Sequence, residues 1–357
     1  MKILFICGAK ATYTRNSVIY KGLKENNVEI IDCTSIKSTY AKRYIEVALK
    51  FLTNMNKKYD VVFVGFLGQP LVPIIKILTK KPIFFDAFIS IYDTLCDDRK
   101  IFKPSSFCGQ VSYFFDKISC KISDVVFLDT KSHVDYFLNT FNLQNSNFER
   151  IFVGADDEIF YPRNTLNKNN DEFTVFYYGT FLPLQGIDII LHSAKILENY
   201  SDIKFKIVGI GLEHSKIIKL AKELNLKNIE FIDWIEYEKL PLEIANSDVC
   251  LGGHFGTVAK GQRVISGKTF QFLSMNRAVI VGNNLANSEL LVDKKNALFV
   301  DPNDPKDLAN NILLLRNNPE IKENIAKQGY LTFKEHCTPK KIGKDLKNII
   351  EKKLGKL

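Results

Sequence analysis

Residues 174–211 read TVFYYGTFLPLQGIDIILHSAKILENYSDIKFKIVGIG, and this stretch decides the fold. An apolar, β-favouring run (174–180) breaks at Gly179, crosses a proline-containing turn and gives way to a helical pattern starting near Gly186. A second apolar run (203–209) then ends at Gly209 and Gly211. Strands that are continuously apolar rather than alternating, and that are separated by a helix, belong to a parallel sheet covered on both faces. Right-handed crossovers make such a sheet doubly wound.

The same alternation extends outward in both directions. IEFIDWI (229–235), DVCLGG (248–253) and AVIVG (278–282) continue it towards the C-terminus. On the other side KILFIC (2–7), VEIID (28–32), DVVFVGF (60–66), PIFFDAF (82–88) and DVVFLDT (124–130) read as strands. Helices are predicted near Ser17–Asn26, over about Tyr40–Lys57, after Gln69 and near Tyr113–Lys121, and RIFVGAD (150–156) closes this half. Between the halves lies YPRNTLNKNND (161–171), polar and without periodicity, which reads as a linker. The expected fold is α/β, with two Rossmann-like domains (1–160 and 172–335) facing across a cleft at the carboxyl ends of their sheets. A basic helix over 338–357 follows, with Ile342, Leu346, Ile349 and Ile350 at helical spacing.

The length of 357 residues suits two domains, and 46% hydrophobic with 25% charged residues excludes a disordered chain. Seven cysteines form no Cys-x-x-Cys pair and several sit in apolar runs, which fits a reducing compartment rather than a disulfide or zinc scaffold. The five histidines show no metal-ligand spacing, so no metal is expected, and His254 reads as structural. No signal peptide or bilayer-spanning run is visible, so the expected location is cytoplasmic, or peripheral on the inner face of the membrane. The net charge of +9 favours anionic partners. An anionic membrane surface is one candidate, through the basic amphipathic helix of Tyr40–Lys58 or through the C-terminal helix. The C-terminal helix can instead pack back on the N-terminal domain. Nucleic acid is not expected.

Residues 252–291, GGHFGTVAKGQRVISGKTFQFLSMNRAVIVGNNLANSELL, carry the densest chemistry. A loop bearing Lys260 and Arg263 enters a helix at Ser266-Gly267-Lys268-Thr269. Free backbone N–H groups and the helix dipole favour a phosphate there, and Gly267 permits close approach. Lys268 and Arg263 add full positive charges, suited to stabilising a departing diphosphate, and are the expected catalytic residues. Gly209-x-Gly211 at a strand-to-helix turn does not complete the dinucleotide fingerprint, because Glu213 and His214 follow.

Taken in order, GTFLPLQG, IVGIG, NIEFIDWI, SDVCLGG, SGKTFQFLSMNRAVIVG and SELLVDKKNALFVDPNDPKDLANNI resemble the retaining glycosyltransferases of the GT-B fold, family 4 type, also called glycosyl transferases group 1. VGADDEIFYP is similar to that family's inter-domain segment. The resemblance implies a transferase that moves a hexose from a nucleotide-sugar donor to a glycan or lipid-linked acceptor, with retention, in surface polysaccharide or glycolipid synthesis. It places the base near Trp234 and Ile235, the diphosphate near Gly179, Arg263 and Lys268, and the ribose and sugar near Gln271 and the loop Gly282–Glu289. Gln185 falls where the family's turn carries a base, and Thr180 where it carries another; the family's two glutamates are here Arg263 and Gln271. The transfer of bases from 180–185 to Arg263 and Lys268 conserves positive charge at the diphosphate. Acceptor-side candidates are Asn16, in the loop after the first strand, and Asp86 and Asp93, in DAFISIYDTLCDDR (86–99). Two rival functions remain open at this point: a non-catalytic nucleotide-sugar-binding partner subunit, and a nucleotide-sugar epimerase.

Overall fold

The computed structural model describes residues 1–163 and 172–356; most of the expected linker, 164–171, lies outside the described residues. The described chain forms two compact units, one of Met1–Gly154 with Thr338–Leu357 and one of Ala155–Cys337. In the first, β1 (Lys2–Cys7), β2 (Glu29–Asp32), β3 (Val61–Gly65), β4 (Ile83–Asp86), β5 (Val125–Leu128) and β6 (Phe148–Arg150) form a parallel sheet ordered β2-β1-β3-β4-β5-β6. In the second, β7 (Phe173–Tyr178), β8 (Ile203–Val208), β9 (Ile229–Ile232), β10 (Val249–Gly253), β11 (Ala278–Gly282) and β12 (Leu298–Val300) are ordered β12-β11-β10-β7-β8-β9. The central strands are buried at nearly every position, as continuous apolar runs require, with helices on both faces.

Strand order fixes where ligands go. In the second sheet the winding reverses between β7 and β10, and the crevice outside the carboxyl ends at such a switch point is the binding site of open α/β sheets. Gly179 directly follows β7 and Gly253 ends β10, so both line that crevice from the backbone side.

Several elements escape the sequence reading, among them the helix Pro319–His336 and strand β6, which precedes the run 150–156 rather than coinciding with it. Helix Lys131–Phe141 is capped by Thr130, whose hydroxyl accepts from the His133 amide at 3.0 Å, and it buries Val134, Phe137 and Phe141. Strand β12, of three residues, is too short to show a period. The unit boundary also falls earlier than residue 160, because Phe160 is fully buried and meets the Tyr237 ring edge-on at 5.5 Å. That aromatic contact commits 155–163 to the second unit.

Helix Pro339–Lys353 belongs to the first unit. Thr338 caps it by accepting from the Lys341 amide at 3.2 Å, with proline at the first helical position. Ile342, Leu346 and Ile350 enter the core with Val18, Ile19 and Leu23 of helix Thr14–Glu25, each burial worth about 1.5–3 kcal/mol. The two helices nearly touch backbones: a Cβ on Gly22 would lie 2.0 Å from the Pro339 carbonyl oxygen, so only glycine fits.

Candidate functional site in the second unit

Three strand-end turns build the site. Gly179, Gly209 and Gly211 have φ of +153°, +144° and +159°, which side-chain-bearing residues rarely adopt. A Cβ on Gly209 would meet the Gly179 carbonyl oxygen at 2.0 Å, and one on Gly211 would meet the Phe181 backbone at 2.6 Å. The glycines therefore hold the turns after β7 and β8 against each other. Beside them opens a cavity of about 790 Å³ lined by Tyr178, Gly179, Thr180, Gly209, Gly211, His214, Asp233, Trp234, Ile235 and Tyr237, among others. Its size is within the range of small-molecule sites. Trp234 is 74% exposed at its rim.

The cavity adjoins a cationic corner. Helix Gly267–Ser274 begins with Ser266 as N-cap, but the serine hydroxyl does not cap the helix. It instead accepts from Lys268 Nζ at 3.1 Å, while the same ammonium donates to Gln185 Oε1 at 2.6 Å. The first turn is left without a side-chain cap, the arrangement that suits an anion. Lys268 Nζ sits 4.7 Å from the Tyr177 ring centre, and a Cβ on Gly179 or Gly253 would lie 3.6 or 3.5 Å from it. Both backbones can thus come close to whatever the amine binds. Burial pulls the Lys268 amine down to about 7. A Cβ on Gly267 would point into open space, so its glycine is not demanded by the protein's own packing.

Polar atoms beneath the corner are unpaired. Tyr177 Oη, Thr269 Oγ1 and Gln271 Oε1 are buried without a hydrogen-bond partner. An orphaned buried polar atom costs about 1–3 kcal/mol, a cost that a hydrogen bond to a ligand or an ordered water would offset. His254 is buried and its imidazole is pushed down to about 3 by burial and by the neighbouring Lys268 charge, so it is neutral.

Of the residues singled out from sequence, Gly179, Gly209, Gly211, Trp234 and Ile235 line the cavity, and Gln185, Gly267 and Lys268 form the corner. Lys260 is buried in the turn Ala259–Gln262, with Arg263 at its end. Gln271 lies mid-helix, and Glu289 caps the C-terminus of the short helix Leu285–Ser288, both outside the cavity lining. Tyr177 went unnoticed in the sequence and Ser266 was read only as part of a helix start, because their contacts with Lys268 are not written in a motif. Among the described residues no group of three metal-ligating side chains comes together.

The acceptor-side expectations need correcting. Asp86 is fully buried and grips Arg15 through two oxygens, at 2.8 Å from Nη2 and 3.0 Å from Nε. Arg15 Nη1 in turn donates to the Ile151 and Phe152 carbonyls at 2.6 and 2.7 Å. Burial pushes the Asp86 carboxyl up, and Arg15 pulls it back. Asn16 accepts from the Phe66 amide at 3.1 Å and donates to the Lys10 carbonyl at 3.1 Å. Asp93 is 1% exposed at the start of a π-helical turn, Asp93–Asp98. All three are inward-facing, and Asp86 and Asn16 hold the turns after β4, β1 and β3 in place rather than face a ligand.

Two doubly wound parallel domains, the second with its site at the β7/β10 switch point, define the GT-B class of fold. Comparison with known proteins carries this further: residues 172–318 match the family model described as Glycosyl transferases group 1. The chain is 27% identical over 183 residues to the uncharacterized glycosyltransferase MJ1178 of Methanocaldococcus jannaschii, covering 50% of this chain and 46% of that protein. It is 24% identical over 229 residues to a poly(ribitol-phosphate) alpha-N-acetylglucosaminyltransferase of Staphylococcus aureus, covering 62% and 41%. It spans about half the length of these curated relatives. Among solved structures, Anabaena Alr3699/HepE in complex with UDP-glucose superposes with a TM-score of 0.73 at 14% identity, covering 100% of both chains. The chain thus has the GT-B glycosyltransferase fold and carries a group 1 domain in its second unit. No helix among the described residues is long and apolar enough to cross a membrane.

Proposed function

We propose that the protein is a hexose-type glycosyltransferase that takes a sugar from a nucleotide-sugar donor bound in the second unit. The observation that carries this reading is the buried Lys268 ammonium, 2.6 Å from Gln185 Oε1 at an uncapped helix start beside the β7/β10 switch point. In this reading the nucleoside enters the cavity and packs on Trp234 and Ile235. The diphosphate spans from the Gly179 turn to Lys268 and the first turn of helix Gly267–Ser274. Gln185 and Lys268 together do the work of one base: the glutamine fixes the amine, and the amine neutralises charge on the leaving diphosphate. Arg263 adds a second charge near the helix entrance. With cationic side chains in that role, no metal ion is called for. Gln271 and Glu289 are assigned to ribose and sugar hydroxyls, which the unpaired Gln271 Oε1 supports. An amide accepts and donates but carries no charge, so it positions without shifting proton equilibria.

The finer assignments are a retained anomeric configuration, a glycan or lipid-linked acceptor held by the first unit, and a place in surface polysaccharide or glycolipid synthesis. The named activity of the Staphylococcus aureus relative supports the polymer acceptor. The UDP-glucose bound by the Anabaena protein supports a uridine donor.

The test is a thermal-shift panel of UDP, GDP, dTDP, CMP and ADP, since a ligand of the folded state alone raises the melting temperature. One nucleoside diphosphate should stand out, and its hexose conjugates should then be consumed with an acceptor glycan present. No shift with any of the five would contradict the reading. A shift without turnover would favour a non-catalytic partner subunit, the replacement of both glutamates by Arg263 and Gln271 being its motive. Conversion of the donor sugar without an acceptor would favour an epimerase.

A further inference from the structure

Positive charge is concentrated in a small part of the chain. Residues 36–58 hold six bases and one acid, and residues 71–81 hold three bases and no acid, so two short segments carry eight of the nine net charges. Both segments are largely helical, Tyr40–Asn54 and Leu71–Leu78. Each helix buries one side in the same core, Val47 and Phe51 from the first and Leu71, Val72 and Ile75 from the second. They therefore lie on one face of the first unit's sheet, and their other sides face away from it together.

Those outer sides are apolar as well as basic. Ile45, Leu49 and Leu52 form a stripe at helical spacing and are 61, 58 and 47% exposed. Ile74 and Ile77 on helix Leu71–Leu78, which shares that core, are 53 and 86% exposed. A water-facing helix has no reason to carry a second apolar stripe, and several such residues close together mark an interaction surface. Of the bases around them, Arg43 is buried against the Tyr40 ring, Lys50 pairs with Glu46 at 2.9 Å and Lys76 pairs with Asp124 at 3.3 Å. Among the described residues, Lys42, Lys57, Lys58, Lys80 and Lys81 meet no carboxylate within ion-pair distance. The C-terminal helix differs, since its apolar side is already covered by helix Thr14–Glu25.

We infer that the outer faces of helices Tyr40–Asn54 and Leu71–Leu78 form one docking surface for an anionic lipid bilayer. Apolar side chains flanked by unpaired lysines match the acyl boundary and headgroups of such a membrane, whereas an acidic protein partner needs no such apolar stripe. The inference stands apart from the donor site, which lies in the other unit. The experiment is flotation of the full chain with vesicles of phosphatidylcholine, with and without phosphatidylglycerol, at low and high salt. Binding should require phosphatidylglycerol and weaken as salt rises. Lys57→Gln and Lys80→Gln should each weaken it about fivefold. Leu49→Ser with Ile77→Ser should weaken it at least about tenfold, with an unchanged circular-dichroism melt and UDP shift showing that fold and donor site are intact. Absence of flotation with either vesicle would overturn the inference, as would flotation unaffected by these substitutions. So would a solution dimer that the Leu49→Ser/Ile77→Ser pair dissolves, because the face would then be a contact between copies.

Discussion

Lys268 should take up a proton when a nucleoside diphosphate binds. Burial holds its amine near 7 in the empty protein, so about half the molecules carry it uncharged at neutral pH. A diphosphate against the amine supplies the missing countercharge and returns it towards the ordinary lysine value. At pH 8 the empty site is about one-tenth protonated and the occupied site nearly fully so, giving an uptake of about 0.9 proton per nucleotide. The association constant should then fall about fivefold from pH 7 to 8 and about ninefold from pH 8 to 9. His254, held near 3, stays neutral throughout and adds nothing to this slope. Calorimetry of UDP binding at pH 8 in two buffers of different ionisation enthalpy measures the uptake directly. Lys268→Met should abolish it and weaken binding roughly tenfold to hundredfold, the worth of a charged hydrogen bond. The same substitution should raise stability at pH 7. An amine whose folded value lies below its unfolded value penalises folding fully below pH 7, and the penalty fades as pH rises through 7 towards 10.5. At pH 7 it is roughly 4 kcal/mol against an unshifted amine, of which the bonds to Gln185 and Ser266 return part, leaving a gain of about 1–3 kcal/mol. Buffer-independent binding heats, or a Lys268→Met variant that binds UDP equally well, would refute the reasoning.

Gly209→Ala should lower stability by about 2 kcal/mol or more and remove nucleotide binding, because its Cβ would strike the Gly179 carbonyl at 2.0 Å; a thermal melt with and without UDP reads both. Asp86→Asn should cost about 3–5 kcal/mol in urea unfolding, since it leaves the fully buried Arg15 guanidinium uncompensated. Trp234 is the single tryptophan, so intrinsic fluorescence should change on saturation with the preferred nucleotide, and a flat titration alongside a thermal shift would place the base elsewhere. Transfer should persist in excess chelator, which a product assay in EDTA checks.

The sheets were legible because parallel strands are written as unbroken apolar runs between glycines, as in TVFYYGT and IKFKIVG, and both runs became strands within a residue or two of their limits. The cationic corner was legible in part. Ser266-Gly267-Lys268 could be recognised as a helix start, but its hydrogen bond to Gln185, 83 positions away, is a product of the β7/β10 adjacency that no local pattern encodes. The acceptor side was misread for a related reason. Asp86 looks functional as a carboxylate after a strand, yet Arg15, 71 positions earlier, folds onto it and turns it into a buried structural pair. Isolated charges near strand ends carry no mark of whether their partner is a ligand or the protein itself. The short helix Leu71–Leu78 shows a third case: its apolar sequence does not mark which residues are covered, and only the fold reveals that Ile74 and Ile77 face outward.

The central claim is that Lys268 and the uncapped start of helix Gly267–Ser274 hold the diphosphate of an activated sugar. A crystal structure with the preferred nucleotide-sugar tests it most directly. A phosphate oxygen should lie about 2.7–2.9 Å from Lys268 Nζ, the distance of a charged hydrogen bond. The base should lie on the Trp234 side of the cavity, with Gln185 still fixing the amine. A diphosphate bound away from β7 and β10, with the bond between Lys268 and Gln185 undisturbed, would contradict the claim.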